Sequence, residues 1–325
     1  MAVCRQLQTL AANKSELHVG CAAERLQLRH RSRLSLFGIY FFYSGMFMSR
    51  KSLFTVIFLA AYASCGTVHA QFSTTSQEVV NATTPLPPPN DGQLNLELSV
   101  GAQKLSAGFG NWNDITLRGV YAMPAHVIQS EISQNRRFGQ SGTFVSVGDT
   151  YTFNEDWFGS ASLGVGDGAF YLPKYRVDAS VSRKLLEKRN LVASLGYGYY
   201  NAPDGHVDNS VALSAAYYFE VPWVVEAGVR LNRSNPGAIH TTQQFVAATY
   251  GRDKQNLVTA RYGWGGEGYL ATTADTQLVN FKSKEASLSW RHWVNPTTGW
   301  LVSANRYENP SYNRRGVNLG LFHSF

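Results

Sequence analysis

His206, Asp208 and Ser210 have the residue types of a nucleophile, its base and an orienting acid, and they share one face of an extended stretch. Residues two apart on a strand lie about 6.6–6.8 Å apart, whereas a working nucleophile–base contact needs about 2.6–3.2 Å. The row also follows the turn Pro203-Asp204-Gly205, where polar side chains are expected at a solvated rim. A catalytic site could still be assembled across strands, as in barrel proteases, phospholipases and palmitoyl transferases, but no motif of these stands in the chain. The histidines His126, His206, His240, His292 and His323 are scattered, without the paired spacing a metal site requires, so no metal and no cofactor is expected. Gly263-Trp264-Gly265-Gly266 and Gly164-Val165-Gly166 lack the following helix of a phosphate loop. Such glycines fit strands that bend or make room beneath them.

The residues that must position any site read as strand after strand. Leu191, Ala193, Leu195, Tyr197 and Tyr199 alternate with the mostly small Val192, Ser194, Gly196, Gly198 and Tyr200. Val211–Phe219, Trp223–Leu231 and Leu94–Gly101 repeat that period of two, and no helical stripe competes with it. A soluble sandwich would alternate in the same way. Three features point instead to a membrane. The apolar face runs for about five positions, near the 9–11 residues a tilted strand needs to cross a bilayer. Aromatics collect at its ends, as Trp157, Tyr197, Tyr199, Tyr217, Phe219, Trp223, Tyr262, Trp264, Trp290 and Trp300, like interfacial girdles. An export signal, described below, supplies the compartment.

The face opposite the apolar one carries Glu97, Arg118, Arg176, Asp178, Glu226, Arg230, Arg261 and Arg291. Arg or Lys facing lipid at mid-bilayer costs about 2–4 kcal/mol, so these eight are the candidate lumen-lining residues. Two arrangements fit. Acid and base either pair across the interior and plug it, or they line a hydrated passage with Tyr200, Tyr218 and Tyr307. Tyrosine rings and guanidinium forks would suit a saccharide or small solute, acidic ones included.

The chain closes on an amphipathic strand. Val317, Leu319, Leu321, His323 and Phe325 share one face, while Gly316, Asn318, Gly320, Phe322 and Ser324 take the other. An apolar strand ending in Phe is a recurrent feature of bacterial outer-membrane barrels, where it seals the cylinder and addresses the chain to the barrel assembly machinery. Working back from it, connections are expected to alternate between short periplasmic turns (295–298, 252–254, 220–222, 187–189, 154–156) and external loops. The loops are expected at Asn309–Arg315, Gly266–Lys282 (the longest), Asn232–His240 and Asn201–His206. The count predicts about 14 strands, with 12 as the alternative.

At the other end, Ser49-Arg50-Lys51, an apolar run from Leu53 to Ala61 and Val68-His69-Ala70 have the anatomy of a secretory signal peptide at 48–70. Residues 1–47 then read as an over-extended start; a long leader, or an anchor that includes Leu34–Phe47, is the alternative. The formal charge of +7 belongs largely to this part. Of 29 Lys and Arg, eight lie in 1–70, with two of the 22 acidic residues, which leaves 21 against 20 in the remainder. Nucleic-acid binding loses its support. All three cysteines, Cys4, Cys21 and Cys65, lie there too, so the exported part has neither disulfide nor thiolate. Cys65 as a lipobox cysteine is a poor match, because Tyr62 stands where an aliphatic residue is wanted. Residues 71–92, with Pro85-Leu86-Pro87-Pro88-Pro89, form a flexible periplasmic tail, and 93–325 form the barrel domain.

The ending Asn313-Arg314-Arg315-Gly316-Val317-Asn318-Leu319-Gly320-Leu321-Phe322-His323-Ser324-Phe325 and Gly/Tyr strands such as Gly196-Tyr197-Gly198-Tyr199-Tyr200 resemble the YaiO family of outer-membrane β-barrel proteins over most of 93–325. His323 departs from the aromatic or aliphatic residue such endings more often carry. The resemblance implies an all-β transmembrane antiparallel barrel in the outer membrane, without a settled activity. The functional expectation is a non-enzymatic pore or a component of surface-polysaccharide handling, with outer-membrane lipid as its surroundings. The alternatives are a barrel-embedded enzyme acting on lipid or saccharide, and a purely structural surface protein.

Overall fold

The structure, a computed structural model, describes residues 92–325; the expected over-extended start (1–47), the expected signal peptide (48–70) and nearly all of the expected Pro-rich tail lie outside the described residues. Fourteen strands follow one another: β1 (Gln93–Leu105), β2 (Asn111–Ala122), β3 (His126–Arg137), β4 (Gln140–Thr152), β5 (Trp157–Gly166), β6 (Tyr175–Leu185) and β7 (Leu191–Asn201). The second half continues as β8 (Val207–Tyr218), β9 (Trp223–Asn235), β10 (Ile239–Arg252), β11 (Asn256–Ala271), β12 (Gln277–Trp293), β13 (Thr298–Glu308) and β14 (Asn313–Ser324). Each pairs antiparallel with the next, and β1 pairs with β14, so the sheet closes into a barrel with no free edge. Lipid supplies no hydrogen bonds, and closure is how a sheet satisfies its backbone there. Among the described residues there are fourteen strands, not twelve.

The alternation in the sequence becomes inside and outside. Leu98, Val147, Leu213, Leu288, Leu319 and Leu321 stand 41–68% exposed on the outer wall, whereas Ser99, Gln103, Thr116, Ser133 and Glu226 are buried inside. This reverses a soluble domain and suits hydrocarbon outside. Tyr151, Trp157, Tyr217, Trp223, Tyr250 and Trp290 face outward near the end that holds both strand termini, the periplasmic end; Tyr175, Tyr197, Tyr262 and Trp264 face outward toward the other. The closing strand is stitched to the first by Leu98 opposite Leu321 and by the Phe325 amide, which donates to the Leu94 carbonyl at 2.8 Å.

Two expected external loops are corrected. Gly266–Lys282 is not a long loop. β11 and β12 stay paired to Ala271 and Gln277, leaving only 272–276 as the tip. Asn232–His240 is likewise strand up to Asn235 and again from Ile239. Glycines and polar residues read as loop there because the strands continue past the apolar band, where alternation no longer reports lipid. The Gly run on β11 marks a bend: Gly265 has φ of +144°, and a Cβ there would lie 2.3 Å from the Thr242 carbonyl oxygen. The longest external connection is 167–174, between β5 and β6.

Candidate functional site

Parity places all eight candidate charged residues on the inner-wall positions of their strands, but the structure brings only some of them together. Arg118 on β2 is in register with Glu97 on β1 and Glu131 on β3. Its Nε donates to Glu131 at 2.9 Å and its Nη1 to Glu97 at 3.3 Å. Arg291 on β12 donates through Nη1 to the other Glu97 oxygen at 2.7 Å, although two strands intervene on the wall. It passes the row Leu301–Gly320–Ser99, whose glycine leaves space, with its guanidinium 3.9 Å from the Phe322 ring centroid. Glu97 is thus held between two guanidiniums in a ladder that remains partly open to solvent, with side-chain exposures of 33% for Arg118 and 23% for Arg291.

The others are apart from this ladder. Arg176 binds Asp178 on its own strand through two bonds of 2.6 and 2.9 Å. Glu226 and Arg261 flank Ala247 in one lateral row, with the Arg261 guanidinium 3.6 Å from the Phe245 centroid. Arg230 lies between Ala212 and Gln243.

The would-be triad is not assembled. His206 precedes β8, is buried, and bonds through Nδ1 to Asp204 at 2.6 Å; its ring stacks between Tyr200 and Tyr269. The Ser210 hydroxyl is directed at the Gly198 carbonyl instead. Among the described residues no group of three His, Cys, Asp or Glu stands together as a metal would need.

The feature that sequence reasoning missed is the external mouth of the lumen. Leu105, Trp112, Leu270, Phe281, Tyr307 and Tyr312 form a buried cluster with Phe109, Phe138 and Leu278 packed against it. Trp112 is 1% exposed, and the guanidiniums of Arg137 and Arg314 lie 4.6 and 5.2 Å from its ring centroid. Arg314 also reaches Glu285 at 3.3 Å, and the Tyr307 hydroxyl donates to Glu267 at 2.9 Å. Tyr307, expected to line a hydrated passage, is therefore a buried part of this packing, 3% exposed.

The 167–174 connection completes the seal. Ala169, Tyr171 and Leu172 are buried against Phe144 and Phe170, and Phe170 meets Phe138 of the first cluster at a tilt of 33°, ring centroids 5.8 Å apart. The Tyr171 hydroxyl donates to the Asn135 carbonyl at 2.8 Å. Asp167 accepts from the Thr143 amide at 2.7 Å, and the Gly166 amide donates to the Pro173 carbonyl at 2.9 Å. Gly142 makes the room: a Cβ there would lie 2.5 Å from the Ala169 Cβ and 2.9 Å from Leu172. Burial pushes the Tyr171 phenol up to about 12 and also raises the Tyr312 phenol. One signal was available in the sequence: Phe170-Tyr171-Leu172-Pro173 is apolar where an exposed connection would be polar.

Residues 93–270, more than half of the chain, match the profile of the YaiO membrane beta barrel domain. No curated protein matches the sequence. Among solved structures, a loop L8 deletion mutant of OmpT, an outer membrane protein of Vibrio cholerae, is 8% identical over 72% of this chain and 99% of that one, with a TM-score of 0.44. An anion-selective porin from Comamonas acidovorans is 10% identical over 72% and 99%, with a TM-score of 0.43. A bacterial polysaccharide outer membrane secretin is 12% identical over 73% and 99%, with a TM-score of 0.47. The closed fourteen-strand cylinder, its apolar outer wall and the profile match agree: the chain belongs to the YaiO family of membrane β-barrels and resides in the outer membrane.

Proposed function

We propose that this is a non-enzymatic outer-membrane barrel shut at its external mouth at rest, a component of surface-polysaccharide handling rather than a free diffusion pore. The observation that carries this reading is the packing of Trp112, Tyr307 and Tyr312 with Arg137, Arg314 and the inward 167–174 connection. Interior contacts of that density leave little room for a hydrated path. Planar-bilayer recording of the refolded protein tests it. Wild type is expected to give no steady conductance, and Trp112→Ala with Tyr312→Ala is expected to produce one. A steady ohmic conductance in wild type would overturn the proposal.

A conditional passage is the second reading, favoured by the partly exposed Glu97–Arg118–Arg291 ladder below the seal. There the lumen is charged and wet, a surface suited to hydroxyl-rich or acidic chains approaching from the periplasm. In the opened double variant, Arg230→Ala and Arg261→Ala are expected to shift ion selectivity toward cations.

A further inference from the structure

The outer wall differs around its circumference. On β11 the lipid-facing row reaches Tyr262 and Trp264 near the external end, an interfacial belt. Following the same register around the barrel, Tyr262 faces Ala286, then Arg306 on β13, Arg315 on β14 and Lys104 on β1. These three cations share the outer face with Val302, Val317 and Val100, four, two and four residues along their strands, which stand 37%, 53% and 47% exposed. They lie beyond the apolar band on the external side, with Lys284 on β12 and Arg136 on β3 flanking them on outward positions.

Directly opposed residues on neighbouring antiparallel strands hold their Cβ atoms about 4.5–5.5 Å apart, and like charges so placed repel. Arg306 has Glu308 as a partner. Arg315 and Lys104 have no ion pair among the described residues, and Glu308 is the one carboxylate on this outer face from β12 to β3 above the apolar band. A row of this kind is electrostatically incomplete in the protein alone. An anion seated across it would relieve the repulsion, and guanidinium forks with an ammonium between them match the oxygens of a phosphate group. The neighbours decide the rest: side chains immediately toward the membrane centre are aliphatic, so the anion's carrier has acyl chains.

We propose that Arg306, Arg315 and Lys104 form a binding site on the outer wall for a phosphorylated lipid of the outer leaflet, its phosphate on the three cations and its acyl chains along Val302, Val317, Leu319 and Val100. The site is independent of whether the lumen conducts.

The test uses the full-length protein, refolded and delipidated in a non-ionic detergent, with diphosphoryl lipid A as probe and its dephosphorylated form as comparison. Native mass spectrometry is expected to show the phosphorylated form retained by wild type and the dephosphorylated form lost. The variant Lys104→Gln/Arg306→Gln/Arg315→Gln is expected to weaken retention roughly a hundredfold, from about a fivefold contribution per cation near an anionic lipid surface. Arg183→Gln removes an outward cation stacked on Trp157 at the periplasmic end and is expected to leave retention unchanged. Lys104→Gln alone, at the end of β1, keeps the test valid should the triple variant fail to show heat-modifiable migration; about a fivefold loss is expected. Equal retention of the two lipid forms, or undiminished binding by the cation variants, would overturn the site.

Discussion

Arginine does opposite work at the two levels of the lumen. At the external mouth, Arg137 and Arg314 lie over the faces of Trp112, Tyr171 and Tyr307 and help fill the cross-section. Lower down, Arg118 and Arg291 point at carboxylates and keep part of their surface in water. The difference lies in the neighbours, not in the residue. Where rings crowd both sides, a flat, weakly hydrated guanidinium packs among them, as Arg314 does even while it bonds Glu285; where a glutamate lies open to the lumen, the guanidinium stays partly hydrated and paired, as Arg291 does even with Phe322 beside it. The mouth is therefore a structural seal, and the ladder is an electrostatic surface.

If that contrast holds, damage to the seal costs stability and damage to the ladder costs little. Trp112→Ala should bring the largest loss, about 3–5 kcal/mol, because a 1% exposed ring under two guanidiniums leaves a cavity that strands cannot close. Denaturant unfolding in detergent, followed by tryptophan fluorescence and gel migration, measures it. Gly142→Val should cost about 1–3 kcal/mol by overpacking against Ala169 and Leu172, and should turn the 167–174 connection outward. Protease cleavage in that connection is the readout, expected for the variant and not for wild type, whose Ala169, Tyr171 and Leu172 are buried. Glu97→Gln sharpens the comparison from the other side. Arg118 keeps Glu131, and both guanidiniums reach solvent, so the expected loss is about 1 kcal/mol or less. A loss as large as that of Trp112→Ala would mean the ladder, too, is a packed core.

A further effect is a pH dependence confined to alkaline solution. The Tyr171 phenol is raised by burial to about 12 from its ordinary 10.0. A folded-state value above the unfolded one means the contribution is complete below about 10 and is lost as pH rises through about 12. Tyr171→Phe should remove this alkaline loss, and the late-titrating tyrosinate absorbance near 295 nm should fall by one residue's share, the Tyr312 part remaining.

How much of this was legible beforehand follows from what each feature depends on. The inner-wall placement of Glu97, Arg118 and Arg291 needs only the parity of their own strands, a local property. The Glu97–Arg291 contact joins residues 194 apart in the chain, and no local pattern records it. Gly266–Lys282 was misread because glycine and polar residues mark loops in water, while this hairpin keeps pairing outside the apolar band. Apart from the apolar Phe170-Tyr171-Leu172-Pro173, the seal was invisible for the same reason as the contact. Trp112, Arg137, Tyr171 and Arg314 come from β2, β3, a connection and β14, and they meet only once the cylinder closes.

Alternation of apolar and polar side chains, together with the length of the apolar face and the aromatics at its ends, determined a membrane barrel, its inward charges and its closing strand, because a strand's two faces answer only to their immediate surroundings. Which inner residues meet, where the lumen is blocked and which outer cations fall side by side were decided by the register around the closed sheet. Each pairing offset shifts one strand along its neighbour, and those shifts accumulate around fourteen strands before β14 meets β1.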